Sequence, residues 1–114
     1  MSPHPKRGDV YFVDFNPTRG SEQSGIRPAV VVSNNRINFA SPVITVIPLT
    51  HSIPRKKFPQ NVPLPPGVLD SMGGTILCAQ IKSVSKERLR TFVGRLPSEV
   101  MLEVSVSLRK CLEI

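Results

Sequence analysis

The chain has 114 residues, 39% of them hydrophobic and spread along its length, which fits one folded domain and argues against a disordered protein. Its formal net charge of +7 points to a polyanionic partner: nucleic acid, an acidic protein or an anionic surface. No stretch approaches the ~18 apolar residues of a membrane span, and the opening Met1–Arg7 lacks the apolar core of a signal peptide, so a cytoplasmic protein without membrane association is expected.

Twelve prolines favour strands and loops over helices. One domain over 1–114 is expected, with residues 1–6 as a disordered tail. Gly8–Phe15 (GDVYFVDF) reads as a strand, with Val10, Phe12 and Asp14 on one face and Tyr11, Val13 and Phe15 on the other. Asn16–Gly25 is a polar loop, and Pro28–Ser33 (PAVVVS) has the apolar run of a buried central strand. Val43–Thr50 (VITVIPLT) is a further strand, in which Pro48 fits an edge or a bulge. His51–Gln60 is a basic loop, Asn61–Leu64 a short strand, Pro65-Pro66-Gly67 a turn, and Val68–Met72 has no clean period and fits one helical turn.

Gly73-Gly74 breaks the chain before a strand over Thr75–Ser83, whose Leu77, Ala79 and Ile81 are expected to face the core. Ser85–Leu89 reads as a single helical turn and Thr91–Arg95 as a last strand. Pro97–Leu112 is the one long helix candidate: Pro97 suits the first helical position, and Val100, Val104, Leu108 and Cys111 form an apolar stripe. Val104–Leu108 also alternates as a strand would. The sum is a mainly β chain with a C-terminal helix, arranged as a small antiparallel barrel. Cys78 and Cys111 lie in no metal-ligand spacing, so no metal or cofactor is expected and both read as reduced, mostly buried thiols.

Chemistry concentrates in three places. Gly20–Ser33 (GSEQSGIRPAVVVS) leads a polar loop straight into a buried strand, with Arg27 at the junction. Pro28 holds Arg27 extended, and the planar guanidinium can donate two hydrogen bonds to one phosphate. Thr50 places a hydroxyl on a stiff stem at a strand end. Gln80 and Lys82 share one strand face, Ile81 and Ser83 the other.

The segment GSEQSGIRPAVVVS resembles the hallmark of the MazF/PemK toxin endoribonucleases of type II toxin–antitoxin systems. The family order continues in GDVYFVDFNPTRG before it and in VIPLT, a basic hairpin loop, LCAQIKSV and a C-terminal helix after it, over residues 6 to 112. The resemblance implies an SH3-like barrel of the kind MazF and CcdB toxins share. It also implies a homodimer with single-stranded RNA in a groove across the interface, and metal-independent cleavage by the RNA's own 2′-OH, leaving 2′,3′-cyclic phosphate and 5′-OH ends. Carried over residue by residue, it makes Arg27 and Thr50 catalytic and puts Glu22, Gln23 and Gln80 at the RNA. It further implies a cognate antitoxin, which the +7 charge suggests binds through an acidic segment. The residues themselves suit this chemistry: Arg27 is fitted to stabilise phosphorane charge and too basic to take a proton, which leaves the general base open.

Beside these, Lys56, Lys57 and Phe58 pair cations with an aromatic ring, as a track for single-stranded RNA would, and Ser83 is added to the substrate-binding set. Lys82, Lys86, Arg88 and Arg90 read as contributions to the field, His51 as pointing away from Thr50, and Phe15 and Asn16 as structural or peripheral. One departure stands out: many family members carry Asp where this chain has Ala79, so roles given to that Asp do not carry over. Two rival readings are a non-enzymatic gyrase poison of the CcdB kind, whose Trp-Gly-Ile tail is absent here, and an inactive RNA-binding barrel.

Overall fold

The computed structural model describes residues 4–17, 20, 25–52, 60–69 and 72–114. Seven strands and two helices follow in the order β1 (Asp9–Asp14), β2 (Ile26–Val31), α1 (Asn35–Ala40), β3 (Val43–Thr50), β4 (Asn61–Leu69), β5 (Met72–Leu77), β6 (Lys82–Ser85), β7 (Leu89–Arg95) and α2 (Ser98–Leu112). The strands pair antiparallel in the order β4-β5-β3-β2-β1-β7, with β6 also on β3. The architecture is the expected one, a curled antiparallel sheet with a C-terminal helix, and β6 and β7 at the two lips of the curl are joined by one 3₁₀ turn at Lys86–Arg88.

Alternation along the central strands builds two apolar layers. Val13, Phe15, Ala29, Val31, Ile44, Val46 and Val84 fill one, inside the curl. Val10, Val30, Ile47, Leu49 and Ile76 belong to the other, with Val100 and Val104 of α2. The stripe expected on α2 is therefore its packing face, with Leu108 and Cys111 against the same layer. Burying each such side chain is worth about 1.5–3 kcal/mol, so packing and not the weak helix propensity of Val and Ser holds α2 in place.

Several local expectations are corrected. Residues 4–6, expected in a disordered tail, pack: Pro5 is buried, His4 meets Phe39 edge-on at 4.6 Å, and the Lys6 N–H donates to Asp9 Oδ2 at 2.9 Å. Pro48 is on neither an edge nor a bulge. It is buried in a central strand, pairs with Ala29 as the last rung between β3 and β2, and Leu49 then pairs with Ile76 of β5. Its missing N–H falls at the end of the β2–β3 ladder.

β4 runs through Pro65-Pro66-Gly67 by means of an irregularity between Leu64 and Leu69, and of the segment expected as a helical turn Val68 and Leu69 lie in β4 and Met72 in β5, Leu69 pairing with Met72, while residues 70 and 71 lie outside the described residues. Gly73-Gly74 lies inside β5. The long strand expected over Thr75–Ser83 is split by a 3₁₀ turn at Cys78–Gln80, which turns Ala79 outward to solvent while Leu77 stays buried. Pro97 caps α2 in extended conformation, one position before the helix. The short α1 was not foreseen; the Asn34 side chain caps it by accepting the Ile37 N–H at 2.9 Å.

Candidate active site

Arg27 is the second residue of β2, so the strand starts earlier than its apolar run, and Arg27 lies opposite Val13 of β1. Two bonds fix the backbone just before it. The Phe15 N–H donates to the Gly25 carbonyl at 2.9 Å, and the Gly25 N–H donates to Asn16 Oδ1 at 3.0 Å. Gly25 takes φ +77°, a conformation that favours glycine. With Pro28 buried on the other side, the exposed Arg27 leaves a backbone held at both ends.

The β2–β3 register runs Val31↔Val46, Val30↔Ile47, Ala29↔Pro48. Counted two residues past the last rung, this register puts Arg27 and Thr50 at the same level of the two strands. Alternation puts both on the face of Ala29 and Val46, inside the curl. The β2–β3 ladder ends at Ala29↔Pro48, so β2 and β3 part here, while on its other edge β3 pairs with β5, Thr50 with Thr75. Arg27 and Thr50 thus flank the opening where the two central strands separate. Thr50 is half-buried, and its Oγ1 accepts the Ser52 N–H at 3.2 Å, which leaves the hydroxyl hydrogen for a donor role.

Lys82 and Val84 share this inner face, since Lys82 pairs with Val46 and Val84 with Ile44. The Lys82 ammonium lies 5.6 Å from the centre of the buried Phe15 ring. Phe15, Pro17, Lys82, Ser83 and Arg88 line a cavity of about 220 Å³. Arg88 donates to the Asp14 carbonyl at 3.0 Å and to the Asn16 carbonyl, tying the 3₁₀ turn to the residues that grip Gly25. Arg90 pairs with Asp14 Oδ2 at 3.3 Å.

Of the residues expected at the site, Arg27 and Thr50 both lie just past the last rung of the β2–β3 ladder, and Ser83 lines the neighbouring cavity. Gln80 is half-buried on the turn that leads into Lys82. Glu22, Gln23, Lys56, Lys57 and Phe58 lie outside the described residues. Four others were underrated. Phe15 and Asn16 read as peripheral, yet one forms the cavity floor and the other holds the loop base. Lys82 and Arg88 read as background charge, yet both line the cavity. The signal for Phe15 was its strand face, shared with Val13; which strand lies beside β1 is not readable from one chain. Among the described residues, no three His, Cys, Asp or Glu side chains group as a metal site requires.

Residues 6–112 match the family described as PemK-like, MazF-like toxin of type II toxin–antitoxin system. The chain belongs to this family. It is similar to the endoribonuclease EndoA of Bacillus subtilis, 37% identical over 91% of this chain and 90% of that one. It is similar also to the endoribonuclease MazF of Staphylococcus epidermidis, at 37% identity over 90% of this chain and 87% of that one. A crystal structure of MazF from Deinococcus radiodurans superposes with a TM-score of 0.87 at 27% identity, over 99% of this chain and 100% of that one. A MazE–MazF crystal structure from the same organism superposes at 0.80 with 28% identity, over 99% of each chain. In a MazF-like toxin, an Arg and a Thr flanking one opening beside a basic cavity form the natural place to look for chemistry.

Proposed function

We propose that the chain is a cytoplasmic RNA-cutting toxin: an endoribonuclease that cleaves single-stranded RNA by attack of the 2′-OH on the adjacent phosphorus, without a metal ion. The attack breaks the P–O5′ bond and leaves a 2′,3′-cyclic phosphate and a 5′-OH. The observation that supports this reading is the β2–β3 register, which, counted two residues past its last rung at Ala29↔Pro48, puts Arg27 and Thr50 at the same level of the two strands.

Arg27 is an exposed guanidinium on a fixed backbone, able to donate to two equatorial oxygens as the phosphorane gathers negative charge. Thr50 donates to a phosphate oxygen or relays a proton to the leaving 5′-oxygen. Lys82 and Arg88 hold a neighbouring phosphate, and the cavity above Phe15 accepts a base or ribose. Gln80 and Ser83 contribute polar contacts on the same lip, joined by Glu22, Gln23, Lys56, Lys57 and Phe58 from the adjoining loops. The likeness to a MazE–MazF complex and the +7 charge support a homodimeric toxin held in check by an antitoxin with an acidic segment.

The test is purified protein incubated with a long mixed-sequence RNA, with and without EDTA, beside Arg27→Ala. Discrete cuts with 2′,3′-cyclic phosphate ends in both conditions, absent from the variant, are expected. Cleavage abolished by EDTA, or retained at the parent rate by Arg27→Ala, overturns the reading.

A further inference from the structure

The chain has two cysteines, Cys78 and Cys111, and both are free thiols. Neither takes part in the chemistry proposed for Arg27 and Thr50, yet the fold brings them to one place. Cys78 opens the 3₁₀ turn that leads from β5 to β6, and that turn packs on α2. Cys111 lies in the last turn of α2, four residues after Ser107. Residues four apart on a helix share a face and are separated by one turn, roughly 6 Å. The Ser107 hydroxyl bonds to the Cys78 thiol, and it also reaches the Gln60 carbonyl at 2.6 Å. One turn further along that face, Cys111 packs against the apolar layer in which Cys78 is buried. The two sulfurs are near enough that Cys111 acts on the proton affinity of Cys78. Their access to solvent differs: Cys78 is fully buried and Cys111 only half-buried.

We infer that Cys78 and Cys111 form a reversible disulfide when hydrogen peroxide reaches the protein, and that this bond staples the last turn of α2 to the 3₁₀ turn. Cys111, the accessible sulfur, reacts first as its thiolate. It attacks one peroxide oxygen, the O–O bond breaks, and the displaced hydroxide takes up the thiol proton and leaves as water. The sulfur is now a sulfenic acid. Cys78 attacks it: the S–S bond forms, the S–O bond breaks, and the Cys78 proton leaves with the hydroxyl as a second water. Two thiols give up two electrons and two hydrogens, and one peroxide becomes two waters. Burial keeps Cys78 protonated, so it is a poor target for peroxide itself and acts on the sulfenic acid formed beside it.

The bond closes a loop that holds β6, β7 and most of α2, and with them Gln80, Lys82, Ser83 and Arg88 of the candidate site. Packing alone holds α2 in the reduced chain, and helix ends are where a fold opens first. A cross-link from Cys111 into the core closes that route and restricts the unfolded chain. Neither sulfur lines the cavity beside Phe15, and the bond joins parts that already pack, so the site keeps its shape.

The test titrates the reduced full chain with hydrogen peroxide. It reads the intact mass, the free thiols after denaturation and a peptide map under non-reducing conditions. Loss of two hydrogens per chain is expected, with no thiol left and Cys78 joined to Cys111 within one chain, all reversed by dithiothreitol. The midpoint of thermal unfolding should rise by about 5 °C or more in the oxidised chain. It should not rise in peroxide-treated Cys111→Ser, which controls for oxidation of methionine. In Cys78→Ala, shown to be folded by circular dichroism, dimedone should trap a sulfenic acid on Cys111. The inference is overturned if both thiols survive excess peroxide, if Cys111 passes to sulfinic or sulfonic acid without a link, or if the bond joins two chains. A linked chain with the parent's unfolding midpoint overturns the staple. RNA cleavage is measured on both forms, and equal rates are expected. A reduced chain that cuts while the linked form does not shows a bond that distorts the site, which also overturns the staple. A chain that links but cuts no RNA in either form removes the nuclease reading and leaves the staple standing.

Discussion

Gly74 of β5 lies so close to Thr50 that a β-carbon built on it falls 2.0 Å from the Thr50 carbonyl oxygen. Its φ of +142° is one that L side chains rarely adopt. No neighbour can give way, because the atom met is backbone. The close approach seats the end of β3 on β5 and so sets where the Thr50 hydroxyl stands.

Gly74→Ala is therefore expected to act twice, through stability and through geometry. A substitution that must displace backbone belongs with the severe class, costing on the order of 3 kcal/mol or more. The midpoint of denaturant unfolding should fall clearly, with cleavage lost beyond what the unfolded fraction explains. Gly73→Ala is the control, since its nearest atom would be 3.5 Å away, an ordinary contact. Equal stability of the two variants would refute the account of Thr50's seat.

The guanidinium at position 27 should matter for its shape as well as its charge. Arg27→Ala is expected to lower kcat on the order of 10²–10³-fold, the usual effect of losing one donor to a developing oxyanion. Arg27→Lys should recover only part of this, because an ammonium cannot make the paired bonds of the planar fork. Arg27 is exposed, so both variants should remain folded, which circular dichroism checks. A Lys variant with the parent's kcat would show that charge alone suffices.

Much of this was legible in the sequence and some was not, and the division has a physical basis. Strong periods gave β1, β3 and α2, because Val13/Phe15 and Val100/Val104 announce which side meets a core. Glycine and proline misled where tertiary contacts overrode local preference. Gly74 looked like a break and is a close approach; Pro48 looked like an edge and is the last rung between β3 and β2. Arg27 and Thr50 stand out through their motif, but their common place past the end of the β2–β3 ladder follows from a strand register that no local pattern encodes. Phe15, Asn16, Lys82 and Arg88 were misjudged for the same reason: their roles arise from contacts across the curl.

Asn16 tests that last point. Its side chain accepts the Gly25 N–H at 3.0 Å, and its carbonyl accepts from Arg88. Asn16→Ala removes the first bond and leaves the second. One exposed hydrogen bond is worth about 1 kcal/mol, so the fold should be barely affected. The loop base beneath Arg27 should nevertheless loosen, with kcat/KM falling about tenfold, the order expected when a reacting group is slightly misplaced. Asn16→Asp, which keeps the acceptor, should restore most of the rate; if it behaves as the Ala variant does, the clamp is not the cause.

Lys82 and Arg88 should act on binding more than on chemistry. If each holds a phosphate beside the scissile one, Lys82→Ala raises KM with little change in kcat. It also makes binding less steeply dependent on salt, since one fewer counterion is released per complex. Titrating RNA binding across a salt series with Arg27→Ala as the uncut background measures this directly. An unchanged slope would place Lys82 outside the RNA path.

The buried thiol gives a stability prediction with a definite sign. Burial raises the pKa of Cys78, with the Ser107 hydroxyl bond opposing it and Cys111 adding to it. Above the unfolded value of about 8.5, the unfolded chain loses this proton while the folded chain keeps it. The contribution of Cys78 is thus fully present below that pH and drains away as pH rises towards the folded pKa. Cys78→Ala leaves a small cavity and lowers stability at neutral pH, but its unfolding free energy should decline less between pH 8 and pH 10 than the parent's, about 1.4 kcal/mol less for each unit by which the folded pKa is raised within that window. Parallel denaturant series at a few pH values decide it: parent and variant curves with the same slope would mean that the thiol titrates alike in both states.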